Sequence, residues 1–231
     1  LGILWNPVSD LFEYQGALLL TVPREKETMR TLCSRAAKIF DPLGFLSPVL
    51  ICAKIWMQQC WKEKLAWDDE LPASIAEPWA LWVSDIVSLH YLDVHRNLAI
   101  RDAVKLQLHG FSDASQHACA AVLYLRSADA AGKVQVRLVA SKTKLAPLKT
   151  VSIPRLELMG ALLLALLVEK VQKALRISDV ICWTDNTTTL QWLQQPPSTW
   201  KIFVGNRVCQ ITEIVSPDRW RHVNTTENVA D

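Results

Sequence analysis

The 231-residue sequence has none of several patterns that would assign it at once. Its six cysteines (Cys33, Cys52, Cys60, Cys119, Cys182, Cys209) form no CxxC or CxxH cluster. That excludes a zinc finger and a disulfide framework, and reads as buried thiols of a reducing compartment. There is no Tyr-x-Asp-Asp, and Asp68-Asp69, in the polar stretch after Trp67, is a poor substitute, so no polymerase activity is expected. Neither Asp-Thr-Gly nor Asp-Ser-Gly is present, so no aspartic peptidase is expected either. The most apolar run, Leu158 to Val168, is about half the roughly 20 residues that cross a bilayer, and Glu157 and Glu169 bound it. It reads as a buried helix, and no membrane partner is expected. No internal repeat or low-complexity tract is present.

What remains is ordinary globular composition, 50% hydrophobic and 21% charged, enough for a core without covalent staples. The net charge of +2 is unevenly spread. Residues 1–100 hold 9 basic against 12 acidic side chains, and residues 101–231 hold 16 against 11. A basic second half fits a nucleic-acid partner, and fits equally a chance spread of solvated charge. Leu1 opens inside an apolar pattern and Asp231 follows no closing element, which reads as a fragment of a longer polypeptide.

Periodicity divides the chain near residue 100. In residues 1–100, two apolar runs around Asn6-Pro7 predict strand, turn, strand, and the rest is mainly helical. Helices are expected over Thr28–Phe40, ended by Asp41-Pro42-Leu43-Gly44, over Pro48–Lys64, and over Ser74–Leu89 with Trp79, Trp82 and Ile86 packed inward. Tryptophans at helical spacing read as core before they read as a base-stacking platform. In residues 101–231, Val104–Phe111, Cys119–Leu125 and Val134–Ala140 predict a three-strand antiparallel meander. Pro154 opens a long helix to about Leu175, proline suiting the first helical position. Val180–Trp183 is short and continuously apolar, which predicts a strand buried on both faces. Helices over Thr187–Leu193 and Trp200–Val215 and a strand over Trp220–Val223 complete the order β-β-β-α-β-α-α-β. The fold class is α/β, a mixed sheet of meander plus parallel strands with flanking helices.

Four carboxylates stand at the ends of these elements. Asp113 ends the first meander strand, and Glu157 lies in the first turn of the long helix, on the side of Gly160 and Ala161, which allow close packing on the sheet. Asp185 follows the apolar strand, and Asp231 closes WRHVNTTENVAD. A buried acid must be paired, neutralised or bound to metal. Acids converging from separate elements suit magnesium, a hard cation that prefers oxygen ligands. Two such ions about 4 Å apart stabilise the attacking and leaving oxygens of a phosphodiester. Taken singly, Asp185 reads as a cap for the next helix and Glu157 as favourable first-turn charge; the joint pattern favours the metal site.

GFSDAS, the helix bearing Glu157, Thr184-Asp185-Asn186 and Asn228–Asp231 resemble the ribonuclease H fold in the order of its four catalytic acids. More narrowly, HGFSDAS, SKTKLAPLKTVSIPRLELMGALL, CWTDNTTTLQWL, WKIFVGNRV and WRHVNTTENVAD are similar to the BEL/Pao class of long-terminal-repeat retrotransposon polyproteins. LGILWNP and RTLCSRAAKIFDPLGFLSPVLICAKIWMQQCW resemble the segment that links polymerase to RNase H there, a region whose family names mention a peptidase. The resemblance covers nearly the whole chain. It implies a reverse transcriptase connection segment over 1–100 and an RNase H-like domain, C-terminally truncated, over 101–231.

The resemblance further implies a hydrolase: a magnesium-dependent endonuclease that cuts the RNA strand of RNA–DNA hybrids with two ions, manganese being a substitute. Asp113, Glu157, Asp185 and Asp231 would be both metal ligands and catalytic acids. His222 lies where the family has a polar residue shortly before the last acid, a region in which some relatives use a histidine for proton transfer or product release, although a strand-end histidine with a local hydrogen bond accounts for it as well. Lys142, Lys144, Lys149 and Arg155 are candidates for phosphate contact, and equally solvated surface charge. The backbone at Ala114 and Ser115 is placed to read the RNA 2′-OH. Asn186 stands beside Asp185 where a serine is commoner, and is counted with the nucleic-acid contacts; Val229 stands where a proline is commoner. Implied partners are the hybrid and the rest of the polyprotein (polymerase palm and integrase), in an intracellular setting, a cytoplasmic particle or the nucleus. The rival reading is a non-catalytic transposon remnant or scaffold, favoured by Asp231 standing on a frayed end.

Overall fold

The computed structural model describes residues 3–14, 26–88 and 92–231. Its contacts divide the chain into two compact units, residues 1–42 with 46–97, and residues 43–45 with 98–231.

In the first unit, β1 (Leu4–Asn6) and β2 (Leu11–Tyr14) form the expected hairpin, with Asn6 Oδ1 accepting from the Val8 and Ser9 N–H groups in the turn. A third strand, β3 (Leu92–His95), pairs antiparallel with β2. The sequence reading did not anticipate it, because four residues are too few to show a period. Three helices follow the spacing read from the sequence: α1 (Met29–Ala36), α2 (Ser47–Lys62) and α3 (Ala73–Ser88). Helix α1 stops four residues before Phe40. It starts at a capping box in which Thr28 and Thr31 bond each other's backbone N–H. Trp79 and Trp82 are core and stack at 4.9 Å, and Trp56 meets both edge-on at 6.2 Å, while Trp5, Trp61 and Trp67 are exposed.

The second unit is built on a five-stranded sheet. Its strands are β4 (Lys105–Ala114), β5 (Ala118–Ala128), β6 (Val134–Leu145), β7 (Val180–Thr184) and β8 (Trp220–His222), in the spatial order β6-β5-β4-β7-β8. The meander β4-β5-β6 is antiparallel, while β7 and β8 run parallel to β4. Strand β6 continues five residues past Ala140, because Ser141–Leu145 alternates with polar side chains outward.

Helix α4 (Ile153–Leu175) covers one face of the sheet with Leu156, Leu158, Ala161, Leu164, Ala165 and Val168. Two glycines set how closely it lies. A Cβ on Gly160 would come within 2.8 Å of the Asp113 carbonyl oxygen, and one on Gly110 within 2.6 Å of a Leu164 methyl. Helices α5 (Thr187–Leu193) and α6 (Ile202–Ile214) complete the unit.

Two expectations need correction. Strand β7 buries one face fully: Val180, Cys182 and Thr184 are buried, while Ile181 and Trp183 are partly exposed on the side away from α4. The apolar run is continuous because Trp183 joins an aromatic cluster there, not because a second layer covers it. Of the cysteines, which are all unpaired, Cys60, Cys119 and Cys182 are buried; Cys33 and Cys52 are partly exposed, and Cys209 is exposed on α6. No described helix is long and apolar enough to cross a membrane.

Candidate metal and nucleic-acid site

Parallel pairing sets Ser112 beside Thr184, so Asp113 and Asp185 leave neighbouring strands at the same level. Helix α4 adds Glu157 one turn before Gly160, where helix and strand backbones touch. One carboxylate oxygen from each of Asp113, Glu157 and Asp185 lies within 4.8 Å of the others. Asp185 does not cap α5: the cap is Asn186, whose Oδ1 accepts from Thr189 N–H at 2.8 Å. That bond leaves the Asp185 carboxylate available to the cluster.

Burial and mutual repulsion raise the pKa of two of these acids, Glu157 and Asp113. Burial pushes Glu157 up to about 8, helped by the charges of Asp113 and Asp185. Asp113 is also raised, by burial first and then by Asp185 and Asp231. The Ala114 backbone N–H, turned to both carboxylates, offsets this only in part. Glu157 Oε2 is buried without a hydrogen-bond partner, and among the described residues no cation pairs with any of the three acids. A hard, all-oxygen donor set with an unsatisfied carboxylate oxygen and uncompensated negative charge fits a divalent cation such as magnesium.

Asp231 is not among the three clustered acids, and it is exposed. Its charge nevertheless reaches both Asp113 and Glu157. The segment that carries Asp231 is tied to the sheet by a residue that the sequence reading passed over. Asn228 is buried, donates from Nδ2 to the Ser112 carbonyl at 3.2 Å, and accepts from Ala230 N–H through Oδ1. Its own carbonyl accepts from Asp231 N–H at 3.1 Å. The terminal turn is thereby fixed to the β4 residue next to Asp113. Only the position of Asn228 three residues before Asp231 hinted at this, since its partner lies 116 residues away.

The remaining candidates separate. His222 is exposed on β8, level with Thr184, and its ring has no hydrogen bond among the described residues, which corrects the local-bond reading. Ser115 sits in the β4–β5 turn with its Oγ accepting from His117 and Ala118 N–H. Lys142 and Lys144 are exposed on edge strand β6, and Lys149 is exposed in the loop before α4. Arg155 is exposed in the first turn of α4, and its guanidinium lies 5.1 Å from the centre of the Phe203 ring on α6. Arg207, overlooked in the sequence, stacks on the same ring at 3.5 Å. Neither arginine pairs with a carboxylate among the described residues, and burial lowers the pKa of Arg207. Nothing in the spacing of Arg155 and Arg207, 52 positions apart, announced two guanidiniums on one ring.

With this geometry in hand, comparison adds the family level. Residues 28–186 match the family described as Pao retrotransposon-like RNaseH-like domain, a span that includes Asp113, Glu157 and Asp185. A search of curated proteins returns no match. Among solved structures, the chain is similar to RNase H1 of the halophilic archaeon Halobacterium salinarum, at 12% identity over 53% of this chain and 88% of that one, with a TM-score of 0.33. It is similar also to the N-terminal RNase H domain of a Mycobacterium tuberculosis protein fused to maltose-binding protein, at 12% over 55% and 89%, with a TM-score of 0.36. A third is LC11-RNase H1 in complex with an RNA/DNA hybrid, at 11% over 54% and 89%, with a TM-score of 0.34.

Proposed function

The chain belongs to the Pao retrotransposon-like RNaseH-like domain family, and from this premise we propose that it is a hydrolase that cuts the RNA strand of RNA–DNA hybrids. The observation that carries the reading is the convergence of Asp113, Glu157 and Asp185 within 4.8 Å at one end of the β4–β7 pair. Asp113, Glu157 and Asp185 would hold magnesium, with Asp231 as a fourth acid; manganese suits the same oxygens. Ions held there would supply activation of a water and charge stabilisation at the leaving 3′ oxygen.

The chain's own residues do the rest. Gly160 brings α4 against β4, so that Glu157 faces Asp113 without a loop between them. Ala114 N–H steadies both carboxylates. Asn228 holds the turn that carries Asp231. Arg155 and Arg207, braced on Phe203, are the best-oriented cations for the hybrid's phosphates, with Lys142, Lys144 and Lys149 as outlying contacts. The Ala114–Ser115 backbone and Asn186 lie beside the acids and would face the minor groove, where a 2′-OH distinguishes RNA. Residues 1–100 we read as the connection that joins this domain to the rest of a reverse-transcribing polyprotein.

The test is cleavage of a labelled RNA–DNA hybrid with and without magnesium, with Asp185→Asn as control. Metal-dependent cutting of the RNA strand, lost in the variant, supports the reading. An intact hybrid with correctly folded protein rejects it in favour of a non-catalytic remnant.

A further inference from the structure

Residues 43–45 belong to the second unit, although the chain before them, up to residue 42, and after them, from residue 46 to 97, belongs to the first. One residue of edge strand β6 holds them. Ser141 N–H donates to the Leu43 carbonyl at 2.9 Å, and Ser141 Oγ–H donates to the Gly44 carbonyl, 97 positions away. Successive groups of an extended chain point to opposite sides, so two adjacent carbonyls reach one residue only at a turn. Gly44 supplies it: it is buried with a φ of 78°, a conformation that costs glycine little and other residues more. Asp41 closes the loop, its Oδ2 accepting from Leu46 N–H at 2.7 Å and its Oδ1 from Tyr14 O–H at 2.8 Å. Asp41–Leu46 is therefore a shaped clip.

The clip seats where β6 turns basic. Ser141 is followed by Lys142 and Lys144, both exposed, and the far end of that segment is tied as well: Ala146 N–H donates to the His117 carbonyl at 2.8 Å. Lys142 stands opposite Ala121, and Lys144 opposite Cys119, which in turn faces Ala114. Ala121 and Cys119 are buried in the core, and Cys119 Sγ donates to the Leu156 carbonyl of α4, so both lysines leave the sheet on the α4 side. Neither pairs with a carboxylate among the described residues. The charges of Glu157, Lys144 and Asp113 all reach the Cys119 thiol, which puts Lys144 in electrostatic range of the acid cluster. Ala114 and Lys144 are two strands apart, about 10 Å at the usual spacing. That is the rise of about three nucleotides of one strand.

We infer that the Asp41–Leu46 loop is a positioning element of the hybrid-binding surface. By holding Ser141 it fixes Lys142 and Lys144 against backbone phosphates within about three nucleotides of the cut. A lysine is a point charge on a flexible stem, so its contact depends on where the strand sets its Cα, and an edge strand is paired on one side only. The inference rests on the hybrid as substrate. It makes residues 43–45 part of the nuclease, although they lie within the stretch read as connection.

The experiment uses the whole 231-residue chain and a fluorescent RNA–DNA hybrid, with binding followed by anisotropy in chelator and cleavage measured separately with magnesium. Ser141→Ala removes one of the clip's two bonds. It is expected to weaken binding about three- to tenfold and to lower the slope of log affinity against log salt by up to about 0.9, one phosphate contact. Ser141→Thr keeps the hydroxyl and should restore both. Gly44→Val, a branched side chain at positive φ, should weaken binding at least as much; if it fails to fold by circular dichroism, the Ser141 pair decides. In a chain already carrying Lys142→Ala and Lys144→Ala, Ser141→Ala should have no further effect, because the clip acts through those lysines. Unchanged affinity and salt slope in Ser141→Ala, whatever its melting temperature, overturns the inference. So does a loss that adds in full to that of the lysines. A chain that binds in the expected pattern yet leaves the hybrid uncut supports the clip and removes the nuclease reading, and one that cuts while ignoring these substitutions does the reverse.

Discussion

The carbonyl oxygen of Asp113 lies 2.8 Å from the point where a Cβ on residue 160 would stand, so Gly160 is what allows helix α4 to touch strand β4 beside the acid cluster. Alanine in place of a helical glycine normally gains about 0.5–1 kcal/mol. Here the neighbour is backbone and cannot swing aside. Gly160→Ala is expected to cost about 1–3 kcal/mol instead, as overpacking does. Because Glu157 is one turn away, metal-dependent hybrid cleavage should fall at least about tenfold, through a displacement small beside a bond length. Thermal melts with cleavage rates check both, and a raised melting temperature would show that the close approach is not required.

The repulsion within the cluster sets a pH dependence for the metal-free chain. Glu157 is raised from 4.5 to about 8, so across that window the folded chain holds a proton that the unfolded chain has released. Stability from this group is therefore full at the acid end and falls as pH rises, by at most about 1.4 kcal/mol per unit. Asp113, raised in the same direction, adds to the fall at the lower end. Melting temperature measured from about pH 5 to about pH 8 in chelator should decline, Glu157→Gln should flatten the decline, and magnesium should remove it by favouring the ionised acids. A decline that is identical in Glu157→Gln would assign it to other groups.

How much of this was legible in sequence depended on how local each signal was. Pro154 announced helix α4, the alternation of VQVRLVA announced β6, and the apolar VICW announced β7, because each is a pattern within one element. The acids that meet at the cluster could be named because they stand at the ends of those elements, and their order resembled that of a known fold. Sequence missed what depends on distant pairing. Asn228 bonds a carbonyl 116 residues away, Arg207 finds Arg155 only across Phe203, and β3 exists as a strand because β2 offers it an edge. The two-faced burial assigned to β7 failed for a related reason: an apolar run does not say whether a second layer or a ring cluster awaits it.

Asn228 gives a way to ask whether Asp231 matters. Asn228→Ala would leave the Ser112 carbonyl without that donor and release the terminal turn, at a cost of about 1–3 kcal/mol. If Asp231 contributes to the chemistry and Asn228 acts through it, Asn228→Ala and Asp231→Asn should each lower cleavage by about ten- to a hundredfold. The double variant should then be no worse than either single one. Cleavage that is unchanged in Asp231→Asn would remove the fourth acid from the mechanism and leave the three of the cluster.

The arginine pair on Phe203 separates binding from chemistry. Arg207 and Arg155 share one ring and lack a carboxylate partner among the described residues, the condition in which a phosphate is the natural counter-ion. Arg207→Ala is expected to raise KM for the hybrid about tenfold with kcat nearly unchanged, since phosphate contacts hold ground state and transition state alike. It should also reduce the slope of log affinity against log salt by about 0.7–0.9, the release of one counter-ion. Arg207→Lys keeps the charge and gives up the planar stacking, so it should recover the salt slope but only part of the affinity. If kcat falls while the salt slope stays fixed, Arg207 acts on the position of α4 instead, because α6 packs along that helix.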